Sequence, residues 1–289
     1  MTVSAEVQIT DLTINDHACL TFGESEELLD LTAAFVRDGL SGGLRVVWLC
    51  EQPQGVLTEL SRRGIAVQSA TSAGRMDVVA CQDGLLPGQT FSVEHAMRWL
   101  RTQMEVTSRE GYAGLRVALD MGWALRPVSG IERLPAFEEE IAATLSGSSV
   151  SVLCQYDRER FDPVTLASVS SFHTRSVTAA TYHNDPLLRI CRQYAPPGIR
   201  LAGQIDQSAG EALSLALAEA IRVDGDITVN MSELSFIDLS CTRMIIDAAR
   251  GLAPARGVVL RCNRAIASRF VLLGADGIPG VSLVTSHDQ

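Results

Sequence analysis

Short apolar runs alternate with helical stripes along the first two-thirds of the chain. The runs lie at residues 18–22, 46–50, 78–81, 115–120, 150–154 and 177–181. Runs this short and rich in valine and leucine read as strands buried on both faces. Between them, residues 26–40, 55–63, 93–110, 131–145 and 163–172 carry apolar side chains at helical spacing. Strands alternating with helices predict an α/β domain over residues 1–190, a mostly parallel sheet with helices on both faces.

A second, smaller α/β pattern fills residues 199–289. A strand at 199–206 precedes a stripe of Leu213, Leu217 and Ile221, with Ser208 and Glu211 spaced as a capping box. Ile227, Val229 and Met231 then alternate as in a half-buried strand. After a turn at Asp238 the spacing becomes helical again through Ile245, Ala249 and Leu252. A strand at 258–262, a helix at 266–273 and a strand at 281–284 complete the pattern. Residues 187–191 suit a short helix, and 191–198, ending in Pro196-Pro197-Gly198, read as a short, stiff linker.

Charge and composition narrow the function classes. The formal net charge of −10 argues against nucleic-acid binding, which needs a basic footprint. No apolar run reaches the ~20 residues of a membrane-spanning helix. The start of the chain, Met1 to Asp11, is polar and acidic, so no signal peptide is expected. Seven scattered cysteines suit reduced thiols in a cytoplasm. All 24 basic residues counted as Lys+Arg are arginines. A standard P-loop, a protein kinase and Schiff-base chemistry each need a lysine, so all three are excluded.

In open α/β sheets ligands bind at the carboxyl ends of the strands. Those ends carry Cys50-Glu51, Cys81-Gln82, Asp120-Met121 and Cys154-Gln155-Tyr156-Asp157, with Trp123 close behind Asp120. This rim is the expected small-ligand pocket. His17 and Cys19, two apart on a strand, face the same side and join the candidate set. No zinc-type spacing or Cys-x-x-Cys occurs, so neither a metal nor another cofactor is expected. A metal from His17, Cys19 and a distant cysteine remains the minor alternative. His95, His173, His183 and His287 have no evident partner and read as surface or cap residues.

Three segments carry a family resemblance: Asp16-His17-Ala18-Cys19-Leu20, Met121-Gly122-Trp123-Ala124-Leu125 and Cys154-Gln155-Tyr156-Asp157. Over about 160 residues this region resembles the MEDS sensory domain, a ligand-sensing module of prokaryotic regulators. The resemblance implies a RecA-like fold without nucleotide machinery. The chain agrees: where a phosphate loop should follow the first strand, it reads Phe22-Gly23-Glu24-Ser25-Glu26-Glu27. Glutamates at a helix start repel a triphosphate and complement the helix dipole.

Leu201-Ala202-Gly203-Gln204-Ile205-Asp206 and Phe236-Ile237-Asp238-Leu239-Ser240 mark the second domain. From Gly198 to about Thr285 the chain resembles a STAS domain of the anti-sigma-factor-antagonist type. Ser240 falls on the position that a partner kinase phosphorylates in that family. Leu239 stands where a small hydroxyl residue is common, and Cys241 where glycine is usual. The resemblance implies that Asp206, Asp238, Leu239, Ser240 and Cys241 meet the partner, an anti-sigma factor with serine-kinase activity. The expected protein is thus a cytoplasmic, non-enzymatic regulator, with an unknown small-molecule ligand on its first domain and a phosphoserine switch on its second. A homodimer is compatible with this reading. An unphosphorylated STAS scaffold is the first alternative, and a thiol- or metal-dependent enzyme the second.

Overall fold

The computed structural model describes residues 5–252 and 255–285, which divide into two compact units, Met1–Thr178 and Ala179–Gln289. The first unit runs β1 (Ala5–Val7), β2 (His17–Phe22), α1 (Ser25–Ser41), β3 (Arg45–Cys50), α2 (Pro53–Arg62), α3 (Val67–Ser72) and β4 (Met76–Ala80). It continues through α4 (Cys81–Gly84), α5 (Val93–Arg109), β5 (Leu115–Asp120), α6 (Leu134–Leu145), β6 (Val150–Asp157), α7 (Pro163–Ser170) and β7 (Arg175–Val177).

Its strands form one sheet in the order β1-β7-β2-β6-β5-β3-β4, every pairing parallel. This is the expected parallel α/β sheet, with the first long strand, β2, inserted between β7 and β6 rather than at an edge. Helices cover both faces, as the doubly buried strands require. On one face Met97, Leu100, Phe137 and Ile141 of α5 and α6 pack with Val117, Leu119, Val152 and Cys154. On the other face α1 is tied down by two polar bonds. Gln155 Nε2 donates to Thr32 Oγ1 at 2.9 Å, and Arg116 Nη1 donates to the Phe35 carbonyl at 2.7 Å.

The second unit runs β8 (Thr181–Asn184), β9 (Leu188–Tyr194), β10 (Pro197–Ile205), α8 (Gly210–Val223), β11 (Ile227–Ile237), α9 (Leu239–Arg250), β12 (Val258–Cys262), α10 (Arg264–Leu272) and β13 (Val281–Thr285). The sheet order is β13-β12-β11-β10-β9-β8. β10 to β13 pair in parallel, whereas β8, β9 and β10 are antiparallel, so the sheet is mixed. Leu213 and Leu217 of α8, Ile245 of α9 and Phe270 of α10 share one core with Ile199, Leu201, Val229 and Leu260.

The expected linker and short helix give way to sheet. Residues 187–191 and 191–198 fall largely within β9 and β10, which turn at Ala195-Pro196 and pair from Pro197↔Tyr194 to Gly203↔Leu188. Leu188 and Ile190 alternate with Arg189 and bury against the second core, a strand pattern that the short apolar stretch disguised. The division between compact units accordingly falls after Thr178 rather than near residue 190. The expected strand at 177–181 is likewise two strands, the end of β7 and the start of β8.

Candidate functional site

The carboxyl ends of β2, β6, β5, β3 and β4 do meet along one edge, through the pairs Phe22↔Asp157, Asp120↔Gln155, Leu49↔Leu119 and Cys50↔Ala80. The candidate side chains do not form one wall there, because strand residues alternate between faces. Cys19 is in register with Cys154, Cys154 with Leu119, and Leu119 with Leu49. His17, Cys19, Cys154 and Tyr156 therefore share the face covered by α5 and α6. Cys50, Asp120 and Asp157 take the reverse face. Trp123 is fully buried, its ring 4.7 Å from Phe91, so it is a core residue and not a pocket wall. Glu51 is exposed and pairs with Arg126 at 3.0 Å. Asp120 caps the turn that follows β5, its Oδ1 accepting from Gly122 N at 2.8 Å. A cleft of about 490 Å³ opens at the opposite, amino ends of β5 and β6, between Met104, Tyr112, Gly114 and Val150, and none of the candidate residues lines it.

What the fold does assemble is a polar cluster inside the core. His17 comes from β2, Cys154 and Tyr156 from β6, Glu138 from α6 and His173 from the turn after α7. Glu138 Oε2 lies 3.1 Å from His17 Nε2, 3.5 Å from His173 Nε2 and 3.5 Å from Cys154 Sγ. Tyr156 donates its hydroxyl to Glu138 Oε1 in a short hydrogen bond. His17, Glu138, Cys154, Tyr156 and His173 are all buried. Burial alone would raise the Glu138 carboxyl; the His173 and His17 imidazoles and the Tyr156 hydroxyl outweigh it and hold it at about 2. Burial pushes His173 down to about 4 against the pull of Glu138. These two directions compete, since a neutral His173 cannot hold a carboxylate down by its charge. The hydrogen bonds from the Tyr156 hydroxyl and His17 Nε2 keep Glu138 anionic.

His173 is thus a buried partner of this cluster and not the surface or cap residue expected of it. His183 does fit that expectation, bonding Asp185 at 2.8 Å, and His287 lies outside the described residues. Glu138 had a signal in the sequence. It sits on the same α6 stripe as Leu134, Phe137, Ile141 and Leu145, where a carboxylate is out of place.

At the start of α1 the acidic turn occupies the place of a phosphate loop. Glu27 is buried, accepts the Gly23 amide at 3.1 Å and pairs with Arg158 at 3.2 Å, while Glu26 pairs with Arg63 at 2.7 Å. A backbone donor that would cradle a phosphate is already spent on a carboxylate. ATP titrated into the protein is therefore expected to give no saturable micromolar signal in calorimetry. Tight binding would contradict this account of the turn.

In the second unit the marked loops form one surface. Asp238, not Ser240, is the N-cap of α9: its Oδ1 accepts from Cys241 N at 2.7 Å. Its Oδ2 accepts from Gln207 N at 2.9 Å, which joins this turn to the end of β10. Asp206 caps that neighbouring turn, accepting from Ser208 N at 2.9 Å; the expected Ser208–Glu211 capping box does not form. Ser240 is exposed in the first turn of α9, and Leu239 is 65% exposed. Cys241 is fully buried, with its thiol donating to the Asp206 carbonyl at 3.2 Å. It supports the loop from beneath and cannot touch a partner.

The comparisons with known proteins agree with this division. The family described as MEDS, MEthanogen/methylotroph, DcmR Sensory domain, matches residues 16–174, and the one described as Mlab, STAS domain, matches residues 189–285. Among curated proteins none matches the chain. Solved structures of similar shape include a KaiC-like protein from the archaeon Pyrococcus horikoshii OT3, at 11% identity and a TM-score of 0.46, covering 65% of this chain and 79% of that one. Another is the flagellar accessory protein FlaH from Methanocaldococcus jannaschii, at 10% identity and a TM-score of 0.44, covering 65% and 83%. The buried His17–Cys154 face and the acidic turn thus lie in one recognised domain and the Ser240 loop in another: the chain belongs to the MEDS sensory family and carries a STAS domain behind it.

Proposed function

We propose that the protein is a cytoplasmic signalling regulator of the anti-sigma-antagonist type, in which the MEDS domain senses a small molecule and the STAS domain binds and releases a protein partner. The observation that carries this reading is the loop of Asp206, Leu239 and Ser240, which presents an exposed hydroxyl beside an exposed apolar side chain. Phe236, 40% exposed, extends the apolar surface, with the Arg269 guanidinium 5.0 Å from its ring. The partner is an anti-sigma factor with serine-kinase activity. It binds the unmodified loop and is released when it phosphorylates Ser240.

The position of Ser240 supports a switch that spares its own domain. A phosphate there adds roughly −1.5 to −2 charge at the amino end of a helix, where the dipole tolerates it. The cap is made by Asp238, so the Ser240 hydroxyl is free to react without loosening α9. The repulsion and desolvation cost fall on the partner. Thiol chemistry is not part of this function: burial, foremost, holds Cys19, Cys50 and Cys241 at about 12.

Ser240→Ala and Ser240→Asp are expected to separate the two effects. Both should keep unfolding free energy within about 1 kcal/mol of the parent. In pull-downs from the source cell, Ser240→Ala should retain a serine kinase that Ser240→Asp loses, a drop of about tenfold or more in affinity. Mass spectrometry of the loop peptide after incubation with that kinase and ATP should place the phosphate on Ser240. A kinase that binds both variants equally, or a phosphate on another residue, would remove the switch.

A further inference from the structure

The cluster around Glu138 has more groups than its own hydrogen bonds can satisfy. His173 donates Nδ1–H to the Val169 carbonyl at 2.8 Å, because a carbonyl only accepts. Its Nε2 has no hydrogen-bond partner and faces Glu138 Oε2 at 3.5 Å. As a lone pair, Nε2 opposes a carboxylate with no proton between them. As a second N–H, it makes an imidazolium whose ring centroid is 4.1 Å from that of His17, with His17 addressing the same oxygen. Solvent relieves neither arrangement, since His17, Glu138, Cys154 and His173 are between 0% and 3% exposed. A cation at the centre resolves both, because it accepts lone pairs from every side.

The distances fit a cation. Glu138 Oε2 lies 3.1, 3.5 and 3.5 Å from His17 Nε2, His173 Nε2 and Cys154 Sγ, and Cys154 Sγ lies 3.6 Å from His17 Nε2. One ligand atom from each of the four lies within 4.8 Å of the other three. A tetrahedral zinc ion, with bonds of about 2.0–2.3 Å, sets its ligand atoms roughly 3.3–3.8 Å apart. We propose that His17, Glu138, Cys154 and His173 form a closed, four-ligand site for a divalent transition-metal ion of the zinc class.

The surroundings are those of a metal centre. The Val169 carbonyl fixes the His173 tautomer so that Nε2 is the ligand, and the Tyr156 hydroxyl holds the second oxygen of Glu138. On binding, the Cys154 thiol releases its proton, and thiolate plus carboxylate balance the ion's two charges. Four protein ligands leave no open position, so the ion ties β2, β6, α6 and the turn after α7 together and does no catalysis. Cys19, in register with Cys154, stays outside this set. The proposal does not depend on the Ser240 switch.

Full-length protein grown with added zinc should contain about one ion per chain by elemental mass spectrometry. After chelation, cobalt(II) should bind with tetrahedral visible bands and a thiolate charge-transfer band in the near ultraviolet. Cys154→Ser should lose the charge-transfer band, and Tyr156→Phe should weaken cobalt binding by about tenfold. Zinc below about a tenth of an ion per chain, with no thiolate band in the wild type, overturns the proposal whatever the variants do. So does a thiolate band that survives in Cys154→Ser, which would mark an adventitious ion on another cysteine.

Discussion

Gly198→Ala is expected to cost the STAS domain about 3 kcal/mol or more, enough to abolish its cooperative melting in a marginally stable domain. Gly198 has φ of +148°, in a region that other residues rarely adopt. A Cβ on it would stand 1.9 Å from the Thr228 carbonyl oxygen and 2.7 Å from Thr228 C and N. These are backbone atoms of β11, paired with Gly198 in register, so no side chain can swing aside. Relief requires the two central strands to part. Gly225→Ala, with nothing within 4 Å of its Cβ, is the matched control and should change stability little. Far-ultraviolet circular dichroism during heating reads both. A Gly198→Ala protein that melts with its parent would show that β10 and β11 are not packed as described.

Glu138→Ala should destabilise the MEDS domain by about 3–5 kcal/mol, the usual cost of removing one side of a buried charged network. The loss exceeds that of an ordinary truncation because four polar side chains are stranded. Tyr156, Cys154, His17 and His173 all address this carboxylate. Glu138→Gln keeps the shape and one acceptor and should lose less. The three tryptophans, Trp48, Trp99 and Trp123, all lie in the first unit, so tryptophan fluorescence in urea follows that domain alone. An unchanged tryptophan midpoint in Glu138→Ala would mean that the cluster contributes nothing to the fold.

The alternation of runs and stripes was enough to place β2 to β6, because doubly buried strands leave an unbroken apolar signature. It also placed the helices α1, α2, α5 and α6, but not the short α3 and α4. It was not enough for residues 188–194. There a strand alternates Leu188, Arg189 and Ile190 between β8 and β10 of a mixed sheet, and its place is fixed by pairing rather than by local preference. The site divided in the same way. The helix start at Ser240 followed from a local strand–turn–helix signal, and its candidate role from the STAS resemblance. The cluster around Glu138 did not, since its members come from positions 17 to 173 and meet only where α6 and the turn after α7 pack on the paired β2 and β6. Reading the rim as one pocket failed for a simpler reason. Cys50 ends β3 and Cys154 lies within β6, and period-two alternation sends them to opposite faces of the sheet.

The β9–β10 pairing sets where the chain can be divided. β9 covers the outer row of backbone N–H and C=O groups along β10 from Pro197 to Gly203. A fragment begun at Gly198, where the linker was expected to end, would lose β8 and β9 and leave that row bare beside Ile199 and Leu201. A bare, apolar edge recruits strands from other molecules. Such a fragment would self-associate through intermolecular sheet, and the self-association would be mistaken for a native dimer. A fragment begun at Ala179 keeps its own edge covered.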